Sequence, residues 1–162
     1  MTMTPALRKS ALTLHVTTSV GWFGAVASFF ALAVTGLATT DPQHVRAAYI
    51  AMQLIAGVVI VPLAFASLLS GIVQSLGTPW GLFRYYWVVT KLLLAVIATI
   101  VLLLKLKTIS YMGGAAAAMP ALHGGHHAPK LELLVHSAGG LVVLFAAIVL
   151  SIYKPWGRTT YG

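Results

Sequence analysis

Cysteine is absent from the chain, which excludes disulfides, iron–sulfur clusters and thiolate nucleophiles and leaves nitrogen, oxygen or thioether as the only donors for a metal. Acidic residues are nearly absent as well: Asp41 and Glu132 are the only two in 162 residues. Two isolated carboxylates cannot supply paired acid–base work. No serine stands in a nucleophile elbow or beside a His/Asp team, and no glycine-rich loop precedes a helix in the manner of a phosphate cradle. If the chain takes part in chemistry, a cofactor carries it. Charge of either sign is scarce, at 7% of residues, too little to solvate a globular surface of this size.

What fills the chain instead is hydrocarbon. Apolar residues make up 59% of the sequence and the mean hydropathy is +0.94, values that belong to an integral membrane protein. Four apolar runs stand out, at about 11–38, 45–75, 84–109 and 131–153, each longer than the ~20 residues needed to cross the hydrocarbon. Their hydrophobicity is continuous, without strand-like alternation. Turn chemistry falls between them at Asp41-Pro42, at Gly77-Thr78-Pro79 and in a His/Gly-rich loop over 110–130. The expectation is all-α: one membrane domain over 1–162, a four-helix transmembrane bundle with both termini on the same side. The first run exceeds the about 7 to 15 residues of a secretion-signal core and reads as a retained span. Pro62, in the middle of the second run, removes one backbone donor and predicts a kink.

An even number of spans puts Arg8, Lys9, Arg84, Lys154 and Arg158 on one side (side A) and Arg46, Lys105, Lys107 and Lys130 on the other (side B). That slight excess predicts cytoplasmic termini in a cell membrane. Trp80, Trp87, Trp156, Tyr85, Tyr86, Tyr153 and Tyr161 gather toward side A as an interfacial aromatic belt. The formal charge of +8 forms no basic stripe interleaved with aromatics, so its partner is anionic lipid and not nucleic acid.

Ionisable groups inside the runs are the first place to look for function, because burying them in lipid is costly. His15 lies roughly 6 Å beyond Ala11 and Lys91 roughly 10 Å beyond Arg84, nearly level from side A. His136 enters from side B, so in a core ~30 Å thick it is displaced from His15 by roughly 15 Å. One ion cannot take both rings, and two half-sites at different depths are predicted. His15, Thr18, Trp22, Ala25 and Phe29 form a stripe at spacings of three and four, with imidazole and indole on one face. Trp87 and Lys91 share a face of the third helix, and His136 shares one with Gly140 in the fourth. An imidazole beside aromatic and small residues meets the needs of a buried porphyrin. Met52, at a comparable depth to His136, or His44, at the mouth of the second helix, would be the opposing ligand. Each site also has a plainer account: His15 bonded to a carbonyl or a Thr hydroxyl, Lys91 snorkelling to water, His136 bonded to Gln53 or a serine. His123, His126 and His127, with His44 nearby, offer imidazoles that can take copper or zinc, or a polar loop that binds metal only adventitiously.

Leu14-His15-Val16 followed by Trp22-Phe23-Gly24 resembles the first-helix pattern of the HemJ-type protoporphyrinogen oxidases and the CopD-like copper-resistance membrane proteins. The stretch from Trp87 to Leu94, with Lys91 inside it, is similar to the HemJ-type third helix. Ser70-Gly71 and the tail Tyr153-Lys154-Pro155-Trp156-Gly157 resemble a related uncharacterised actinobacterial membrane family. The resemblance implies haem b on His15, with Lys91 beside it. Where HemJ-type enzymes continue with proline-arginine, this chain has Ala25-Val26-Ala27-Ser28. Three functions follow as expectations: a haem b membrane redox protein, holding one or two haems and exchanging electrons with a quinone or porphyrinogen as a membrane oxidoreductase; a cofactor-free accessory subunit of a respiratory or transport assembly, packing against other membrane subunits or its own copies; or a copper- or zinc-handling protein.

Overall fold

Four long helices make up the chain in a computed structural model that describes residues 3–118 and 127–161. They are α1 (Pro5–Ala38), α2 (Pro42–Leu76), α3 (Tyr86–Ala118) and α4 (His127–Tyr153). At 1.5 Å per residue they run from about 40 to about 52 Å, beyond the ~30 Å of a hydrocarbon core. Each is long and apolar enough to cross a membrane, and the protein is a multi-pass membrane protein. Among the described residues there is no strand, only an isolated bridge between Tyr85 and Arg158.

Local chemistry sets the helix starts. Pro5 and Pro42 sit in the first turns of α1 and α2, where a missing N–H costs nothing. Thr4 Oγ1 accepts from Leu7 N, and Asp41 Oδ1 accepts from Gln43 N at 2.9 Å, satisfying donors that the helix itself leaves open. The interruption expected at Pro62 takes the form of a π-helical turn over Ala56–Ile60. Val61 N donates to Ala56 O, five residues back, so the ladder widens one turn ahead of the proline that cannot donate.

Helix neighbours follow chain order. α1 packs along α2 and α4, and α3 packs along α2 and α4, while across the α2–α4 diagonal Lys130 Nζ reaches over the Tyr49 ring, 5.7 Å from its centroid. The core holds Trp22, Phe29, Tyr49, Met52, Ile60 and Met112. Large apolar side chains such as Leu54, Leu104 and Val142 face outward, as a lipid-facing surface requires. Lipid is as apolar as leucine, so cohesion must come from close packing at small residues and from polar contacts between helices. Gly36 is such a socket: a Cβ there would stand 2.7 Å from Tyr49 Cε2.

At one end of the bundle three segments meet. Met3 N donates to Gly77 O, and Thr159 N donates to Arg84 O at 2.9 Å. Lys154 and Trp156 adopt positive φ, 46° and 66°, and turn the tail back toward the α2–α3 connection. Both termini therefore lie at the same end.

The helices outrun the apolar windows. α1 begins at Pro5 where 11 was expected, α4 at His127 where 131 was expected, and α3 continues nine residues past Ile109. Gly113 does not break α3, because the glycine admits Gln53: a Cβ at 113 would stand 2.7 Å from Gln53 Cβ. Ala115 to Ala118, which fall within the loop expected over 110–130, extend the same helix, as strong helix formers do. Lys105 and Lys107 therefore lie well inside α3 and not at its end.

Candidate ligand site between the helices

The sequence places its two half-sites at different ends, and the structure gives them different surroundings. His15 is half-buried on α1 and faces α2. Its Nδ1 lies 3.1 Å from Ser70 Oγ, and Ser70 in turn meets Thr18 Oγ1 at 3.3 Å and donates to Ser67 O at 3.2 Å. Ser19 and Ser67 hydroxyls pair at 2.8 Å. A run of small polar contacts thus ties α1 to α2, with Gly71 against the Cε1 edge of the imidazole. Of the alternatives open for His15, a protein hydrogen bond is present, made to the Ser70 hydroxyl with the Ser67 backbone also in reach. The signal lies in Ser67 and Ser70, three apart in an apolar run, of which the resemblance draws only on Ser70.

Lys91 lies against the Trp87 ring, 5.6 Å from its centroid. Trp87 meets Trp80 edge-on at 5.5 Å. Lys91 and Trp87 thus share a face, and they belong to the end of the bundle that carries the termini.

His136 occupies a different place. With Trp22, Gly139, Gly140 and Lys105 it lines a cavity of about 300 Å³ between α1, α3 and α4, the remaining wall being almost wholly aliphatic. Ile97 and Val135, which also line it, are largely exposed, so the cavity opens sideways toward lipid. His136 Nδ1 lies 2.7 Å from Glu132 O. A carbonyl only accepts, so Nδ1 donates in this bond, and among the described residues Nε2 has no hydrogen-bond partner. A backbone carbonyl that holds one ring nitrogen in this way is the usual support of a metal-bound histidine. The expected partners Gln53 and serine do not bond His136. Gln53 is packed against Gly113, and Met52 is fully buried in the core, away from this cavity.

Lys105 and Glu132 close one end of the cavity with a 2.7 Å ion pair that is two-thirds buried. This pair was not foreseen, since hydropathy treats both residues as charges at run ends. Glu132 thereby serves twice, its carboxylate on Lys105 and its carbonyl on His136.

The fit to a flat ring is partial and specific. A Cβ on Gly139 would meet nothing within 4 Å, and one on Gly140 would meet only Val26 Cγ1 at 3.6 Å, so the wall beside His136 is bare backbone over open space. The cavity volume lies at the low end for ligand pockets, and a porphyrin would be enclosed on one side and exposed to lipid on the other.

The remaining histidines do not assemble. His44 donates through Nδ1 to Asp41 Oδ2 in an exposed pair. His127 is exposed in the first turn of α4, and His123 and His126 lie outside the described residues. Among the described residues no group of three His, Cys, Asp or Glu side chains is placed to hold a metal ion. Comparison with protein-family models, curated proteins and solved structures finds no match for this chain.

Proposed function

We propose that the chain is a haem b-binding membrane redox protein whose haem sits in the cavity beside His136 and exchanges electrons with a lipid-soluble partner such as a quinone or porphyrinogen. The observation that carries this reading is the single hydrogen bond from His136 Nδ1 to Glu132 O, which leaves Nε2 free beside the bare wall at Gly139 and Gly140. Haem bound there would supply one-electron chemistry at a potential set by its axial ligand and burial. Trp22 and the aliphatic wall would exclude water from one face of the ring. The cavity's opening between α3 and α4 would admit a donor directly from the lipid. Lys105, held by Glu132, is the only cation lining the cavity and would hold an anionic substituent of the ring. Termini in the cytoplasm follow from the cations at their end. In this reading His15 and Lys91 hold no iron.

The test is titration of the purified protein, in lipid nanodiscs, with haem b. A Soret band that saturates, and that is lost in a Gly139→Leu variant where the added side chain fills the open wall, supports the site. A Gly139→Leu variant that binds like the parent rejects it.

A second reading has its own observation. His15, Thr18, Ser19, Ser67 and Ser70 are engaged with one another between α1 and α2, as in a cofactor-free accessory subunit whose polar groups serve packing alone. A protein that stays colourless throughout the titration favours it.

A further inference from the structure

The end of the bundle that carries both termini gathers cations with no acidic side chain beside them among the described residues. Lys154 lies over the Trp80 ring at 4.8 Å from its centroid, Lys91 lies over Trp87 at 5.6 Å, and the two indoles touch edge to face at 5.5 Å. Arg84 and Arg158 belong to the same knot, since Arg84 O accepts from Thr159 N and Tyr85 bridges to Arg158. The chain's only acids, Asp41 and Glu132, are both taken up in ion pairs at the opposite end. No acidic side chain among the described residues neutralises this cluster.

The backbone holds the arrangement in place. Lys154 takes up a left-handed conformation, φ 46°, directly after the last turn of α4, and the tail beyond it is tied to the α2–α3 connection. Folding thus brings a lysine from outside α4 onto an indole from the α2–α3 connection, next to a lysine on α3. Like charges drawn together on an aromatic floor, at the depth where Trp80, Tyr153 and Trp156 are exposed, suit a ligand that is anionic and lies at headgroup level.

We propose that Lys91 and Lys154, floored by Trp87 and Trp80, form a binding site for the phosphate of an anionic glycerophospholipid. The ammonium groups would approach the phosphodiester oxygens from two sides, and the exposed Trp80 indole, backed by the buried Trp87, would lie against the glycerol and upper acyl carbons. A free phosphate offers the same oxygens without the apolar part, so the indole floor favours the lipid. This site is separate from the cavity at His136 and does not depend on it.

The experiment uses the full-length protein in neutral detergent, with native mass spectrometry of bound phosphatidylglycerol and phosphatidylcholine. Preferential retention of phosphatidylglycerol is expected, weakened roughly fivefold by either Lys91→Gln or Lys154→Gln. Lys9→Gln, at the same end but outside the cluster, should leave it unchanged. Equal retention of the two lipids, or a Lys9→Gln loss matching the Lys154→Gln loss, would overturn the site in favour of diffuse surface charge. Displacement of the lipid by inorganic phosphate at equal concentration would overturn the lipid assignment. Lys154 is exposed after the helix end, so Lys154→Gln carries the test alone if Lys91→Gln does not fold, and Lys154→Arg should retain the preference.

Discussion

Ser70 holds the His15 ring across the α1–α2 contact, with 3.1 Å between Ser70 Oγ and His15 Nδ1, while the ring edge lies against Gly71, where a Cβ would stand 3.0 Å from Cε1. Hydrogen bonds between membrane helices contribute about 0.6 kcal/mol on average. A double-mutant cycle of His15→Ala and Ser70→Ala, read from unfolding in detergent, should return a coupling of about that size. A coupling of zero would mean that the pair is geometric only.

The Lys105–Glu132 pair bridges α3 and α4 beside the cavity. Removing one partner leaves the other poorly solvated, whereas removing both does not. Lys105→Met alone should destabilise by about 1–2 kcal/mol, and Lys105→Met with Glu132→Leu should recover most of that loss. Because His136 is held by the carbonyl of Glu132 and not by its side chain, the double variant should keep the His136 ring oriented, visible as an unchanged imidazole nitrogen shift in NMR.

Two glycines of α1 make opposite predictions. Gly36 is the socket for the Tyr49 ring, so Gly36→Ala overpacks a rigid contact and should cost about 1–3 kcal/mol. Gly24 has nothing within 4 Å of its added Cβ, and Gly24→Ala should be neutral or stabilising by up to about 1 kcal/mol. Thermal unfolding of the two variants side by side decides between a packing role and mere helix propensity.

The cap of α2 is sensitive to pH. Gln43 N–H, and next to it the His44 ring, hold the Asp41 carboxyl below its ordinary value of 3.8. A carboxyl depressed in the folded state contributes fully above its unfolded value, and that contribution is lost as pH falls through the lower folded value. Protection of the first-turn amides of α2 against hydrogen exchange should therefore fall below about pH 3.8 in the parent relative to Asp41→Asn, which caps without titrating. Parallel pH profiles for the two would contradict the cap.

Lipid made the four spans legible, because nothing but a long uninterrupted apolar helix satisfies its backbone there. The same rule hid the end of α3. Ser110, Gly113 and Gly114 look like the start of a loop, and only the packing of Gln53 against Gly113 shows why the helix goes on. Rise per residue, a property of the chain, separates His15 from His136 along the bundle, and the two rings have different neighbours. Their partners were not legible: whether His15 turns to Ser70, or Lys105 to Glu132, depends on how each helix is rotated about its axis, and a nearly all-apolar surface leaves that rotation unmarked. The folding of Lys154 onto Trp80 depends on a left-handed backbone at a non-glycine residue, which no pattern announces.

Haem counted per chain in the parent, His15→Ala and His136→Ala proteins, each purified after supplementation, tests the central claim most directly. The account predicts about one haem per chain in the parent and in His15→Ala, and none in His136→Ala. Haem kept by His136→Ala but lost from His15→Ala, or absent from all three, would contradict it.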